Sequence, residues 1–131
     1  MFVDASALVA ILVREPEAPE FTSRLDQAEN RYTSAIALYE AVLGIARIRG
    51  TAIDVAEDAI DEFVAETPLQ IIPITSEIGR IAVDAFSRFG RGNHPARLNM
   101  GDCFAYACAR SLGVPLLCKG GDFTQTDIAI A

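Results

Sequence analysis

Four acidic residues stand where a solvated surface carboxylate is not expected. Asp4 lies between strand-like and helix-like apolar runs in MFVDASALVAIL, and Glu40 has apolar or small residues three and four positions away in SAIALYEAVLGIARI. Asp102 precedes an uncharged run in LNMGDCFAYACA, and Asp122 follows two glycines in KGGDF. If these acids meet, they repel one another, and a divalent cation removes that repulsion. Because no His or Cys accompanies them, the oxygen ligands favour Mg²⁺ or Mn²⁺.

Each of these acids also has an ordinary explanation, and the residues alone leave both readings open. Asp4 is a good helix N-cap. Asp102 stands three residues after Asn99, which is the spacing of a capping box. Glu40 fits a buried glutamate paired with an arginine, and Asp122 fits a turn.

The elements that must position these acids alternate between short apolar strands and longer helices. This alternation predicts right-handed βαβ units and a mostly parallel sheet with helices on both faces. Ligands gather at the carboxyl ends of the strands in such sheets, which places Asp4 and Asp122 at one edge. The predicted strands are residues 1–4, RYTSA, LQIIPI, VPLLCK and IAIA. The predicted helices are 5–14, 15–29, 35–49, 51–67, 75–89 and 99–112.

The formal net charge of −7 disfavours nucleic acid as a partner of the whole surface. The charge is uneven, however. The predicted helix over 51–67 carries six acids and no base, and its apolar residues recur at helical spacing, which indicates a solvated acidic face. Residues 85–101 carry Arg88, Arg91 and Arg97 and no acid. We expect these arginines to hold the phosphates of a polyanion.

Length and composition predict one compact domain over 1–131, since 51% of the residues are hydrophobic. The three cysteines, Cys103, Cys108 and Cys118, form no C-x-x-C pair, and the chain has a single His. A zinc site is therefore not expected, and the cysteines are interpreted as buried free thiols of a reducing compartment. Neither a signal-peptide pattern nor an apolar run of membrane-spanning length is found. We expect a cytoplasmic protein that does not bind membranes.

Four segments together resemble the PIN-domain nucleases, and more narrowly the VapC toxins of bacterial toxin–antitoxin pairs. They are FVDASAL, the helix around Glu40, HPARLNMGDCFAYACA and PLLCKGGDFTQTDI, and they cover the whole chain in order. The resemblance implies a three-layer α/β/α sandwich around a mostly parallel sheet. It also implies Mg²⁺-dependent endoribonuclease activity, so that the polyanion held by Arg88, Arg91 and Arg97 would be RNA. Inhibition by a VapB antitoxin and a homodimer are implied as well.

The resemblance also implies roles for individual residues. Asp4 and Asp102 would be the main metal ligands, Glu40 would complete the acidic cluster, and Asp122 would be the fourth acid. Ser6 would hydrogen-bond the carboxylate of Asp4. Attack by a metal-bound water, oriented or deprotonated by one of the other acids, would leave a 3′-hydroxyl and a 5′-phosphate.

Two further positions refine the resemblance. Gly121 occupies a position that is often polar in the family, which puts the geometry of the loop before the fourth acid in doubt. Asp127 lies in a family-like TDI segment, and it is not expected to be a ligand. The helix around Glu40 and the segment FAYACARSLGV carry apolar residues on more than one face. This excess of apolar surface agrees with the predicted dimer.

Three other functions compete with the nuclease. A phosphatase with an aspartyl nucleophile at the end of the first strand usually needs a second Asp two residues on, where Ser6 stands. A phospho-acceptor receiver domain could use Lys119, but it needs an acceptor Asp after the third strand, and LQIIPIT has none. A non-catalytic scaffold that binds RNA or a protein partner remains open.

Overall fold

The computed structural model describes residues 1–131 as six α-helices around a four-stranded sheet. The sheet order is β3-β2-β1-β4, and every neighbouring pair is parallel. The strands are β1 (Phe2–Val3), β2 (Tyr32–Ser34), β3 (Gln70–Ile72) and β4 (Leu116–Leu117). The helices are α1 (Ala5–Leu12), α2 (Ala18–Gln27), α3 (Ala35–Arg49), α4 (Ile53–Glu66), α5 (Ser76–Phe89) and α6 (Met100–Leu112).

The two central strands feed two separate cores, one on each face of the sheet. Successive strand residues point to opposite faces. Accordingly Phe2 and Leu116 pack in one core with α5 and α6, whereas Val3 and Leu117 pack in the other with α1 to α4. This arrangement confirms the predicted three-layer α/β/α architecture with a parallel sheet.

Local signals explain the helix boundaries. Ser34 caps α3, and Gly50 ends it in the left-handed conformation, with φ of 64°. Asn99 and Asp102 form a capping box at the start of α6, and Gly113 ends that helix with φ of 65°. Both helices therefore begin and end at the residues that the sequence predicted. None of the helices combines the length and apolar character needed to cross a membrane.

The prediction of a last strand over IAIA was wrong. Only an isolated bridge joins Ile130 to Leu116, and the loop before it contains a short 3-10 helix, Phe123–Gln125. The strands are also shorter than predicted, since VPLLCK supplies only two strand residues. The second helix begins at Ala18 rather than at residue 15, with Pro19 in its first turn.

Candidate active site

Asp4 follows β1 directly, and its carboxylate caps α1. The backbone N–H of Ser6 donates to Asp4 Oδ2 at 3.0 Å, and the Ser6 hydroxyl donates to the same oxygen at 2.5 Å. Ser6 Oγ in turn accepts from the backbone N–H of Lys119 at 2.9 Å, which ties the start of α1 to the segment after β4. Only 5% of Asp4 is exposed, and burial raises its pKa against the opposing effect of the Ser6 hydrogen bonds. Asp4 is therefore the N-cap of α1, and it is also a buried carboxylate whose ionisation is unfavourable.

Glu40 reaches from α3 to the first turn of α6. A Cβ atom built on Gly101 would lie 2.1–2.3 Å from the Glu40 carboxyl atoms, so only a glycine leaves room for this carboxylate. Burial raises the pKa of Glu40, and the charges of Asp4 and Asp102 raise it further. No arginine or lysine forms an ion pair with Glu40. The alternative of a buried glutamate satisfied by an arginine is therefore not what the structure contains.

Asp102 has two functions in one side chain. Its backbone N–H donates to Asn99 Oδ1 at 3.0 Å, and its own carboxylate accepts from the Asn99 N–H at 2.9 Å, so the capping-box reading is correct. The pKa of Asp102 is nevertheless raised to about 6. Burial is the largest cause, and the charges of Asp4 and Asp122 add to it against the Asn99 hydrogen bond and Arg91. The cap leaves the negative charge facing other carboxylates.

Asp122 lies on the exposed loop after β4. It stands at the start of the short 3-10 helix, and its side chain makes no capping hydrogen bond. Its negative charge raises the pKa of Asp102 and also that of the Cys118 thiol. The pKa of the Cys118 thiol rises to about 12, through burial first and then the charges of Asp4, Asp102 and Asp122. The negative charges of three predicted acids, Asp4, Asp102 and Asp122, are therefore all felt at the Cys118 thiol beside β4.

Asp4, Ser6, Glu40 and Asp102 line a cleft of about 300 Å³ at the carboxyl edge of the sheet. Asp122 does not line it. Three charged residues that were not predicted from the sequence also line the cleft, namely Glu15, Arg47 and Lys119. Glu40, Gly44 and Arg47 are spaced to share one helix face, which was a usable signal. The ion pair of Lys119 with Glu15, at 2.7 Å, joins residues 104 positions apart and has no local signal.

The donor chemistry of the cleft fits a hard divalent cation held by few protein ligands. No group of three or more Asp, Glu, His or Cys side chains is arranged to hold one ion. The predicted set of four carboxylates is therefore not assembled around a single point. Mg²⁺ commonly keeps several waters and uses only one or two carboxylates. Asp4 and Asp102 meet that smaller requirement, since both are oxygen donors whose burial disfavours ionisation, and the charges of Asp4 and Asp122 add to this effect at Asp102.

The three predicted RNA-binding arginines do not form one group. Arg88 belongs to the last turn of α5, where it pairs with Asp127 at 2.8 Å and with Asp84 at 3.5 Å. Arg91 and Arg97 are exposed on the following loop and form no ion pair. The charge of Arg91 lowers the pKa of Asp102, which indicates that this arginine lies towards the acids.

Asp127 is held away from the acidic cleft by a separate set of partners. The Tyr106 hydroxyl donates to it at 2.7 Å, Arg88 donates at 2.8 Å, and Arg110 lies at 3.4 Å. These hydrogen bonds and charges lower the pKa of Asp127. We call Arg88, Tyr106, Arg110 and Asp127 the Asp127 clamp. It agrees with the expectation that Asp127 is not a metal ligand.

The three cysteines are free and buried, as predicted. Burial raises the pKa of each thiol, and for Cys103 and Cys108 the value reaches about 11. A thiol that stays protonated is neither a metal ligand nor a nucleophile. The chemistry of the cleft therefore belongs to its carboxylates.

The PIN domain family model matches residues 1–129. The chain is 40% identical to a VapC ribonuclease of Rhizobium meliloti, over 97% of this chain and 98% of the relative. It is 39% identical to ribonuclease VapC28 of Mycobacterium tuberculosis, over 98% of this chain and 95% of the relative.

Two solved structures share the fold at low sequence identity. The crystal structure of Mycobacterium tuberculosis VapC20, a toxin that cleaves the sarcin–ricin loop, aligns with a TM-score of 0.78 and 16% identity, over 99% of this chain and 97% of that one. A toxin–antitoxin complex from Klebsiella pneumoniae aligns with a TM-score of 0.71 and 17% identity, over 99% and 95%. The chain belongs to the PIN-domain family and, within it, to the VapC ribonucleases.

Proposed function

We propose that this protein is a divalent-metal-dependent endoribonuclease and the toxin of a VapBC-type pair. The observation that carries the proposal is the cleft itself. Asp4, Glu40 and Asp102 come from three separate elements, line the same cleft, and have no basic partner within ion-pair distance. Buried carboxylates in such an arrangement are unfavourable for folding, and a metal-dependent reaction gives them a use.

The proposed chemistry assigns different work to each acid. Asp4 and Asp102 would hold Mg²⁺ or Mn²⁺, which when bound lowers the pKa of a coordinated water and polarises a phosphoryl oxygen. Glu40 orients the attacking water and accepts its proton, a task suited to a carboxylate with a raised pKa. Ser6 fixes the orientation of Asp4 through its hydroxyl. Asp122 is the fourth acid, and it acts from the loop after β4. In-line attack of the water on phosphorus breaks the bond to the 3′-oxygen, which leaves a 3′-hydroxyl and a 5′-phosphate.

RNA is the proposed substrate, and its backbone needs cations near an otherwise acidic cleft. Arg91 and Arg97 are exposed and unpaired, so we retain both as phosphate contacts. Arg88 is engaged by Asp127 and Asp84. We therefore reassign Arg88 to the Asp127 clamp.

A VapB-like antitoxin is the proposed protein partner, and a basic side chain of its inhibiting segment would lie near Asp4 and Asp102, since a metal-free acid cluster attracts a cation. An inhibiting segment without a basic residue at the acids would contradict this. The site of action is proposed to be the cytoplasm, which agrees with three buried free thiols.

The predicted homodimer needs apolar surface that the subunit leaves uncovered. Most of the apolar residues of α6 are buried inside the subunit, so FAYACARSLGV is not that surface. One group of exposed apolar side chains lies on α5 and at the start of α6, where Val83, Phe86 and Met100 are 72%, 49% and 65% exposed. We propose that a second copy covers them. Light scattering at micromolar concentration should give twice the 14.1 kDa chain mass, and a monomer mass would contradict the dimer.

The central experiment is an RNA cleavage assay with added Mg²⁺ or Mn²⁺, with a chelator, and with an Asp4→Asn variant. The proposal expects cleavage only with metal and with Asp4 intact. A non-catalytic scaffold would bind RNA without cutting it. An aspartyl-nucleophile phosphatase would instead hydrolyse a phosphomonoester and leave RNA chains intact, so the same preparation tests all three functions.

A further inference from the structure

Arg47 lines the acidic cleft and forms no ion pair in it. It lies on α3, seven residues after Glu40 and on the same face as Gly44. Its side chain makes neither an ion pair nor a hydrogen bond, and the charges that act on the pKa of Glu40 are those of Asp4 and Asp102. Arg47 is therefore not the counter-ion of the cluster.

Lys119, the other cation of the cleft, is in the opposite situation. Its ammonium group lies 2.7 Å from Glu15 and 3.4 Å from Glu17. These carboxylates occupy it, and they raise its pKa. Arg47 is consequently the cation of the cleft that is free to bind an anion.

A second depression, of about 330 Å³, continues from the cleft across α3. Tyr39, Glu40, Leu43, Gly44 and Arg47 line it, so Glu40, Gly44 and Arg47 belong to both hollows. Gly44 lies between Glu40 and Arg47 along α3, where a Cβ atom would come within 3.0 Å of the Val9 side chain. Tyr39 stands at the other end, with 64% of its surface exposed. Eight residues separate it from Arg47, which is about 12 Å along the helix axis.

We propose that this depression is a nucleotide subsite in which Arg47 binds a backbone phosphate of single-stranded RNA and Tyr39 stacks on a base. Guanidinium groups bind phosphate oxygens in a bidentate manner. Exposed aromatic rings provide stacking surfaces for unpaired bases. The subsite rests on the proposed ribonuclease function, and it explains how a polyanion is held beside a cluster of carboxylates. With Arg47 holding a phosphate, RNA can bind without a lysine or arginine paired to Asp4 or Asp102.

The test measures binding of a short fluorescent single-stranded RNA by anisotropy at several salt concentrations. The full chain carries Asp102→Asn throughout, so that the RNA is not cut. In that background we compare Arg47→Gln and Tyr39→Leu with Arg80→Gln. Arg80 is a matched control, since it is exposed on α5, forms no ion pair, and lines neither hollow.

We expect Arg47→Gln to weaken binding severalfold and to reduce the slope of log affinity against log salt by about 0.7, the value for one phosphate contact on a single strand. Tyr39→Leu should weaken binding about fivefold or more, and it should leave the slope unchanged because no charge is lost. Arg80→Gln should change neither quantity. Thermal melts confirm that all three variants remain folded.

Several outcomes overturn the inference, and they differ from failure of the proposed function. If the parent chain without Asp102→Asn cuts RNA and Arg47→Gln binds RNA no worse than Arg80→Gln, the subsite is wrong and the ribonuclease stands. If Arg47→Gln and Tyr39→Leu weaken only the binding of a protein partner, the depression is a protein-docking surface. If the parent chain cuts no RNA with Mg²⁺ or Mn²⁺, the function itself fails and the subsite falls with it.

Discussion

The acidic cleft and the Asp127 clamp handle the same chemical group in opposite ways, although one helix serves both. Asp102 lies in the first turn of α6, and Tyr106 and Arg110 follow at intervals of four residues on the same face. At the cleft, burial and neighbouring acids raise the pKa of Asp102 to about 6. At the clamp, Arg88, Tyr106 and Arg110 lower the pKa of Asp127.

The difference teaches how to separate a functional carboxylate from a structural one. The clamp gives Asp127 two hydrogen bonds shorter than 3 Å and two guanidinium partners, so its charge is satisfied inside the subunit. Asp4, Glu40 and Asp102 accept side-chain hydrogen bonds only from Ser6 and Asn99, and the charge of Asp4 raises the pKa of both Glu40 and Asp102. The charge of Asp127 is therefore balanced inside the subunit, whereas the charges of Asp4, Glu40 and Asp102 are left to be balanced by a bound ligand.

Removing a cleft carboxylate should have the largest effect on activity. Asp4→Asn or Asp102→Asn should reduce metal-dependent RNA cleavage about a hundredfold or more, because metal catalysis contributes several kcal/mol and each 1.4 kcal/mol is tenfold in rate. The metal-free variant should melt no lower than the parent, since a repelling charge is lost. The assay compares initial cleavage rates and melting temperatures. Asp58→Asn on the exposed face of α4 is the matched control, and full activity in either cleft variant would contradict the assignment.

A methyl group at Gly101 should damage the cleft without weakening the fold. The new Cβ would overlap the Glu40 carboxylate, which must move because it is the flexible end of its side chain. We expect Gly101→Ala to lose about tenfold or more in cleavage rate, since displacement of a reacting group by about 1 Å is costly. Alanine also favours the helix by up to about 1 kcal/mol.

Gly79→Ala supplies the control for that variant. Gly79 is also helical, and a Cβ there meets nothing within 4 Å. This control should keep full activity and gain a little stability. If Gly101→Ala cleaved RNA at the parent rate, the close packing of Glu40 against α6 would have no catalytic meaning.

The two regions should also respond to pH in opposite directions. Asp102 binds its proton more tightly when folded, so in the metal-free protein its contribution to stability falls as pH rises from about 4 to about 6, and then stays constant. Asp127 has a lowered pKa, so it contributes stability above its ordinary range near 4 that is lost as pH falls through the folded value. Melting temperature against pH measures both.

Variants separate the two contributions. Asp102→Asn should flatten the decline between about pH 4 and 6, and Asp127→Asn should flatten the decline below about pH 4. Saturating Mg²⁺ should restore stability to the parent chain near neutral pH and have less effect on Asp102→Asn, because metal binding requires the ionised carboxylate. A parent chain whose melting temperature ignores Mg²⁺ at every pH would contradict the proposed ligands.

The sequence predicted the fold well, because the signals for the fold are local. Ser34, Gly50, Asn99 and Gly113 bound their helices, and the alternation of strands and helices determined a parallel sheet. The strand predicted over IAIA was wrong because a short apolar run has the composition of a strand whether or not it pairs with the edge of the sheet. Its backbone makes a single isolated bridge, between Ile130 and Leu116.

The site could be predicted only in part, because pairing partners are distant in sequence. Asp4, Glu40 and Asp102 stood out because each lies in apolar surroundings. The ion pair of Arg88 with Asp127 joins residues 39 positions apart, and the ion pair of Lys119 with Glu15 joins residues 104 positions apart. Nothing local in the basic loop distinguishes a paired arginine from a free one, and for the same reason Arg47 escaped notice.

The smallest expected effects concern the clamp, and they decide whether the comparison holds. Tyr106→Phe removes the 2.7 Å hydrogen bond to Asp127 and keeps the buried ring. The variant should lose about 1 kcal/mol of stability, a fall of about 3–6 °C in melting temperature, while RNA affinity stays the same. Arg88→Gln should likewise lower the melting temperature slightly and leave the salt dependence of RNA binding intact. The opposite pattern for Arg88→Gln, with an unchanged melt and a reduced salt slope, would return Arg88 to the RNA-binding loop. Asp127 would then be a carboxylate that releases its arginine to the substrate, and the division between a satisfied and an unsatisfied region would no longer hold.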